Sequence, residues 1–277
     1  MIDKTERLIN HNLDPVNASN QIPEPQSILT WLVKESHKIG PPANSRTETV
    51  LRLLAIDFAA GHNLSTAFAN LLVNMSSFNP PSFPGKTYQE VLREELIAVA
   101  NSDGDPEKWT RRKYQLLTGM DSFIKEGLRL HAGLSATLMR TVARKGGYTF
   151  SNGLHIPKGV NVCVPGNQIM RDDTIYPNAD GFDGFRHQLP YHLMDQKKVD
   201  PTLGMSTTGV EYLVFGHGVH ACPARFLTST LLKVVMRYLL EKFDVEVVGK
   251  GRAEPLRIWN LPWAPIGTSV RIRRRAS

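Results

Sequence analysis

The sequence places a cysteine in a glycine-rich loop directly before an apolar helix. The loop reads FGHGVHACPARF over residues 215–226. Gly216 and Gly218 permit backbone turns that other residues avoid, and Pro223 suits the first turn of a helix. We therefore expect Cys222 to lie at the N-terminus of that helix, where free amides and the helix dipole favour a thiolate over a thiol.

A cysteine in this setting has four interpretations. Its thiolate can ligate haem iron and push electron density toward it, which favours O–O cleavage. It can join His217 and His220 on zinc, although structural zinc is almost always four-coordinate and the nearby sequence supplies no partner cysteine. It can be a catalytic nucleophile, although no papain-like surroundings or nucleophile elbow are found. It can also be an inert core cysteine. The loop on its own favours haem.

The loop resembles the haem-ligand signature of cytochromes P450, F-x-x-G-x-x-x-C-x-[GA]. Phe215, Gly218, Cys222 and Ala224 stand at the matching positions. The resemblance implies that Cys222 is the axial ligand of the haem iron and that Phe215 packs beside it. It also implies that His220, at the basic position of the motif, binds a haem propionate. This motif is long and specific.

A second match is the E-x-x-R motif of the same family, formed by Glu126 and Arg129. Residues three apart share a helix face and can pair. The spacing alone selects nothing, because two other Glu/Arg pairs in the chain also satisfy it. Glu126 and Arg129 are selected because a predicted hairpin, an irregular stretch and the cysteine loop follow them in that order. The resemblance implies that both residues pair with Arg186 in a structural cluster that braces the haem loop.

Arg140, in the run LMRTVA, matches another position that binds a propionate in this family. A guanidinium suits a carboxylate because it can donate two parallel hydrogen bonds. A solvated arginine is the alternative interpretation.

The run FAAGHNLST, residues 58–66, resembles the oxygen-side helix motif A-G-x-[DE]-T-[TS]. His62 stands where an acid is usual, and Asn63 where the proton-delivering threonine is usual. Ser65 and Thr66 are out of phase with that threonine because a helix turns about 100° per residue. We expect His62 and Asn63 to be the catalytic residues of a water relay.

Apolar spacing and breaking residues predict the elements that carry these motifs. A short helix is expected over 27–38 and another over 88–99. The remaining segments are an oxygen-side helix over 45–78, an E-x-x-R helix over 112–131, a small sheet over 148–164, an irregular meander over 165–214, and the cysteine loop with its proximal helix over 215–243. One apolar face of the proximal helix is expected to contain Leu227, Leu231, Leu232, Val235, Met236, Leu239, Leu240 and Phe243.

The predicted fold is mainly α with a small β-sheet (α+β). The resemblance implies a single partial cytochrome P450 domain over residues 1–277. This would be the C-terminal portion of the fold, with the N-terminal helices and the membrane anchor absent.

Composition and charge exclude several classes of protein. The 277 residues carry a formal net charge of +7, and Arg271, Arg273, Arg274 and Arg275 contribute part of it. We expect those four to form a solvated tail. Because no basic face interleaved with stacking aromatics is found, we expect no nucleic-acid binding.

We expect no targeting signal in the sequence as written. Two cysteines do not make a secreted disulfide framework, and the charged N-terminus has no apolar core for a signal peptide. No run approaches the roughly 18 apolar residues of a membrane span. We expect an intracellular protein, soluble as written, or one at the endoplasmic-reticulum membrane if an N-terminal anchor is missing from the sequence.

The resemblance implies a haem-thiolate monooxygenase that inserts one oxygen atom from O2 into a lipophilic small molecule. An NADPH-dependent flavin reductase would supply the electrons. The runs MDSFIKEGLRL and YPNADGFDGFR resemble fungal members that act in secondary metabolism. Two alternatives stay open: a non-catalytic remnant, and a haem-thiolate isomerase or dehydratase, which would tolerate Asn63 because it needs no proton relay to dioxygen.

Overall fold

The computed structural model describes residues 27–102, 104–131, 134–194, 200–253, 257–258 and 261–275. The chain divides into two compact units, Met1–Asn63 and Leu64–Ser277, and each is described by itself. The fold is mainly α-helical with small antiparallel sheets. The single domain over 1–277 stays a prediction.

The first unit contains helix α1 (Ile28–Ile39) and the first part of helix α2 (Arg46–Ser77). The Ser27 side chain caps α1 by accepting a hydrogen bond from the Thr30 amide at 3.1 Å. The Ser45 hydroxyl accepts one from the Glu48 amide at 3.3 Å, at the predicted start of α2. Buried Leu29 and Val33 of α1 pack against partly buried apolar residues of α2.

The second unit contains the rest of α2 and helices α3 (Tyr88–Ala100), α4 (Arg111–Leu116), α5 (Thr118–His131), α6 (Gly166–Ile169) and α7 (Arg225–Lys242). A reciprocal capping box between Thr87 and Glu90 begins α3. The largest apolar cluster packs side chains of α2, α3, α5 and α7 together with Phe182 and Phe185. Helix α5 therefore lies in the centre of the core, and every described residue from Thr118 to Leu130 is buried.

The continuous helix predicted over 112–131 is wrong. Leu117, with ψ at 73°, separates α4 from α5. A long-range contact causes the break: the buried carboxylate of Glu95 accepts hydrogen bonds from the Gly119 amide at 2.6 Å and the Met120 amide at 2.8 Å. Because these amides lie in the first turn of α5, Glu95 of α3 acts as its N-terminal cap.

The described strands form four two-stranded antiparallel sheets. They pair β1 (Thr137–Thr141) with β4 (Asn161–Val164), β2 (Tyr148–Thr149) with β3 (His155–Ile156), β5 (Phe243–Val248) with β8 (Ser269–Arg274), and β6 (Arg257–Ile258) with β7 (Leu261–Pro262). The single small sheet predicted over 148–164 is therefore wrong, because its strands belong to two sheets.

Strand β1 was not predicted. Its register shifts between Thr137 and Arg140, and Leu138 has a φ of 52°. A left-handed residue interrupts the alternation of side chains on which strand prediction rests.

The C-terminal arginines are solvent-exposed, as predicted, but in the described part they lie in a strand and not in an irregular tail. Arg271, Arg273 and Arg274 lie in β8, which pairs with β5 along its whole length. Arg271 contacts Glu246 of β5 at 3.1 Å.

The predicted apolar face of α7 is only partly buried. Leu232, Met236, Leu239 and Leu240 lie in the core, whereas Leu227, Leu231 and Val235 are exposed. The reason is that the apolar residues of α7 occupy two adjacent stripes, and only one of them faces α3 and α5. In the described residues, no helix combines the length and apolarity needed to cross a membrane.

Candidate haem-binding site

The cysteine loop is a tight backbone turn closed by its own hydrogen bonds. The Cys222 amide donates to the Phe215 carbonyl at 2.7 Å, and the Ala221 amide donates to the Gly218 carbonyl at 3.0 Å. Gly216 and Gly218 have φ values of 67° and 73°, in the left-handed region where glycine is favoured. The Cys222 thiol is free and partly exposed at this turn.

Helix α7 begins slightly later than predicted. Ala224 is its N-cap and Arg225 its first residue, so Pro223 precedes the first turn instead of occupying it. The Cys222 carbonyl accepts hydrogen bonds from Arg225, at 3.4 Å from the amide and 2.9 Å from Nη1. The loop is thus attached directly to the start of α7.

Strand β1 packs against this loop. A Cβ placed on Gly216 would lie 3.4 Å from the Leu138 Cδ2 atom. Arg140 follows on the same strand, is exposed, and donates from Nη1 to the neighbouring Met139 carbonyl at 2.8 Å. His220 is exposed on the loop itself.

The residues of the loop fit a haem. A free, partly exposed thiol is a suitable iron ligand, and Gly218 has no heavy atom within 4 Å of the position where a Cβ would stand. Arg140 is an exposed guanidinium and His220 an exposed imidazole, and both can donate hydrogen bonds to carboxylates. No group of three or more His, Cys, Asp or Glu side chains within the described ranges is arranged to hold a metal ion.

The structure brings Glu126, Arg129 and Arg186 together. Arg129 of α5 donates from Nε and Nη2 to the two carboxylate oxygens of Glu126, at 2.7 and 2.8 Å. Arg186, 60 residues further along the chain, donates from Nε to Glu126 Oε1 at 3.0 Å. His187 Nε2 lies 3.3 Å from Glu126 Oε2. Both Glu126 and Arg129 are fully buried.

The electrostatics of this cluster keep Glu126 ionised. Burial on its own would raise the pKa of Glu126, but the hydrogen bonds from Arg129 and His187 and the two guanidinium charges outweigh it. They lower the pKa to about 2. Burial lowers the pKa of His187, against the hydrogen bond to Glu126 that raises it.

The two arginines also attach the meander to α5. Arg129 donates from Nη1 to the Met170 carbonyl, and its guanidinium lies 4.9 Å from the centre of the Tyr176 ring. Arg186 donates to the carbonyls of Pro177, Asn178 and Gly181. This cluster therefore fixes the backbone of residues 170–187.

Sequence reasoning missed two further charged residues on α5. Asp121 Oδ1 lies 2.6 Å from Lys233 Nζ of α7, and its Oδ2 accepts from the Met205 amide at 2.7 Å. Lys125 donates to the Leu203 carbonyl at 3.0 Å. The signal that could have revealed them is a spacing of four, since residues 121, 125 and 129 share one helix face.

His62 and Asn63 lie in the first unit. Asn63 is exposed, and its side-chain amide donates to the Ala59 carbonyl of its own helix at 2.9 Å; His62 is partly buried. Their role in a proton relay stays a prediction.

A family model described as cytochrome P450 matches residues 4–269 of the chain. Among similar proteins, cytochrome P450 monooxygenase 103 of Postia placenta is 29% identical over 99% of this chain and 51% of its own length. Cytochrome P450 monooxygenase 151 of the same fungus is 31% identical over 91% of this chain and 48% of its own. Cytochrome P450 monooxygenase avaH of Aspergillus versicolor is 29% identical over 80% of this chain and 48% of its own length. The chain spans about half the length of these relatives.

Solved structures show the same fold. A retinoic acid-bound cyanobacterial cytochrome P450 superposes with a TM-score of 0.68 at 19% identity, over 98% of this chain and 55% of that one. The heme domain of a cytochrome P450DA mutant gives a TM-score of 0.60 at 18% identity, over 84% of this chain and 47% of that one. The family match, the relatives and the fold agree with the cysteine loop and its bracing cluster, and the chain belongs to the cytochrome P450 family.

Proposed function

We propose that this chain binds haem through Cys222 and supplies the proximal side of a haem-thiolate monooxygenase. The observation that carries the proposal is the cysteine loop. Its backbone bonds present the thiol at a glycine turn beside the start of α7, with Phe215 packed against the apolar core. Haem bound there would supply the activation of dioxygen, with the thiolate pushing electron density toward the iron.

The other residues would bind the haem, support the cysteine loop and move a proton. His220 and Arg140 would hold the haem propionates, because both are exposed hydrogen-bond donors on segments that meet at Gly216 and Leu138. Glu126, Arg129 and Arg186 would keep the meander in place behind the loop. His62 and Asn63 would move a proton toward the oxygen side.

We propose a lipophilic small molecule as the substrate, in fungal secondary metabolism, and an NADPH-dependent flavin reductase as the electron donor. Membership of the family supports both, as do the fungal monooxygenases that the chain resembles. If the protein carries an N-terminal anchor, the endoplasmic-reticulum membrane would be the place where reductase and enzyme meet.

The test is the carbon monoxide difference spectrum of the purified, reduced protein. We expect a red-shifted Soret band typical of a thiolate ligand. Cys222→Ala should abolish that band, whereas Cys163→Ser, which changes the other free cysteine, should leave it intact. Protein that takes up no haem would support a non-catalytic remnant. A thiolate band unchanged by Cys222→Ala would contradict the proposal.

A haem-thiolate isomerase or dehydratase is the second candidate. Asn63 favours it, because its amide is engaged with the Ala59 carbonyl of its own helix and it carries no hydroxyl to deliver a proton. Turnover that requires NADPH, reductase and O2 supports the monooxygenase. Turnover without them supports the second candidate.

A further inference from the structure

A buried ion pair joins the helix that follows Cys222 to the helix that carries Glu126 and Arg129. Lys233 Nζ lies 2.6 Å from Asp121 Oδ1, and the two side chains are only 7% and 12% exposed. Lys233 also donates to the Tyr114 carbonyl at 3.1 Å. Asp121 also accepts from the Met205 amide at 2.7 Å. Helices α4, α5 and α7 and the meander therefore meet at these two side chains.

The position of Lys233 on α7 fixes how far the start of this helix, next to Cys222, lies from the ion pair. Lys233 lies eight residues after Arg225, or about 12 Å along the axis at ~1.5 Å per residue. The start of α7 is in turn bonded to the Cys222 carbonyl. An axial shift of α7 would therefore displace the cysteine loop by a similar amount.

At its C-terminal end α7 is held by Arg93 of α3, which donates from Nε to the Leu240 carbonyl at 2.9 Å. Lys233 lies nearer to the cysteine loop than this contact does. Otherwise the buried face of α7 consists of apolar side chains such as Leu232, Met236 and Leu240. Apolar burial is non-directional, and it rewards contact area more than one exact alignment. A buried ion pair depends strongly on geometry, because a charge that loses its partner in the core is costly.

We infer that Asp121 and Lys233 are positioning residues that set the axial position of α7, and with it of Cys222, against α5. The consequence for iron ligation rests on the function proposed above. The positioning itself belongs to the protein alone and can be measured without haem.

The structure offers a matched control. Lys86 and Glu94 are also 2.6 Å apart, but their side chains are 45% and 42% exposed. An exposed pair of this kind contributes little to stability. Glu94→Gln therefore removes an ion pair of the same length without disturbing a buried contact between helices.

The first measurement is amide hydrogen exchange in haem-free protein carrying Cys163→Ser. The Cys222 amide, bonded to the Phe215 carbonyl, reports on the loop, and the amides of α3 report on global opening. The double variant Asp121→Asn/Lys233→Met leaves no uncompensated charge and keeps an acceptor for the Met205 amide, so it is the variant expected to fold. Lys233→Met is the single variant.

We expect both variants to speed exchange at Cys222 by about tenfold more than at the α3 amides. The rate at which a thiol-alkylating reagent modifies Cys222 should rise in parallel. A pair that only adds stability would speed both sets of amides equally. That result, or a change at Cys222 no larger than the one in Glu94→Gln, would overturn the inference.

The second measurement uses haem-loaded protein. The share of the carbon monoxide complex with the thiolate-type band should fall by about half or more in the double variant and stay unchanged in Glu94→Gln. An unchanged share in the double variant would also overturn the inference. Wild-type protein without a thiolate band would defeat the function proposed above, and the exchange experiment would still decide the role of the pair.

Discussion

Arg186 of the meander lies with its Nε atom 3.0 Å from the Oε1 atom of Glu126 on α5. The pair joins two positions that are 60 apart in the sequence, and strands β1 to β4 lie in the segment between them. It also places a third charged group beside Arg129. Because Glu126 is fully buried, the cluster stabilises the fold only while every member is present. Removing one charge leaves the others without compensation in the core.

We expect Glu126→Gln to destabilise the protein by about 3–5 kcal/mol, because it leaves buried Arg129 without its counter-charge. The free energy of unfolding in urea measures this change. Glu107 is exposed, and Glu107→Gln should stay within about 0.5 kcal/mol of the starting protein. A loss in Glu126→Gln no greater than that in Glu107→Gln would show that the cluster is energetically unimportant.

Because of the Glu126 carboxylate, we expect the stability of the fold to decrease at acidic pH. The pKa of Glu126 is lowered from 4.5 to about 2: burial opposes ionisation, and the hydrogen bonds from Arg129 and His187 with the guanidinium charges outweigh it. The folded state therefore binds fewer protons than the unfolded state between these values. Its stabilisation is present above pH 4.5 and is lost as the pH falls toward 2. Unfolding free energies across this range should fall less steeply for Glu126→Gln, and equal slopes would refute the assignment.

Local patterns predicted the helices and the cysteine loop well. Apolar spacing located α2 and α3, and the helices predicted over 27–38 and 45–78 begin where the structure has the capping hydroxyls of Ser27 and Ser45. The glycines of the loop indicated a tight turn that has φ values near 70°. These features depend on residues near one another in sequence, and sequence reasoning reads such features directly.

The errors came from contacts between distant segments. The break at Leu117 depends on Glu95, more than 20 residues earlier, which caps α5 through space. The two apolar stripes of α7 look alike in sequence, and only packing against α3 and α5 separates them. Lys233 and Asp121 could not be paired from spacing, because they are 112 positions apart in the sequence. The resemblance to the cytochrome P450 family identified Arg186 as a partner of Glu126, which no local pattern would have done.

Glu95 predicts a pH dependence of the opposite sign. Burial raises its pKa from 4.5 to about 7, although the amides of Gly119, Tyr191 and Met120 oppose the rise. The folded state therefore binds more protons than the unfolded state between pH 4.5 and 7, and stability falls as the pH rises through that interval. Glu95→Gln cannot titrate, so the slope that it removes, measured by urea unfolding at several pH values, isolates this carboxyl. A variant that keeps the full slope would exclude Glu95 as its source.

Gly119 lies in the first turn of α5, where a side chain would meet backbone. A Cβ there would stand 2.7 Å from the Pro190 Cα atom and 3.0 Å from Glu95 Oε1. We expect Gly119→Ala to destabilise the protein by about 1–3 kcal/mol through overpacking. Gly61, in the interior of α2, has no heavy atom within 4 Å of its Cβ position, so Gly61→Ala should stabilise by up to about 1 kcal/mol through helix propensity. Thermal or urea unfolding compares the two variants directly. If both substitutions stabilised the protein, propensity alone would govern these sites, and the close approach of Pro190 to α5 would have no energetic consequence.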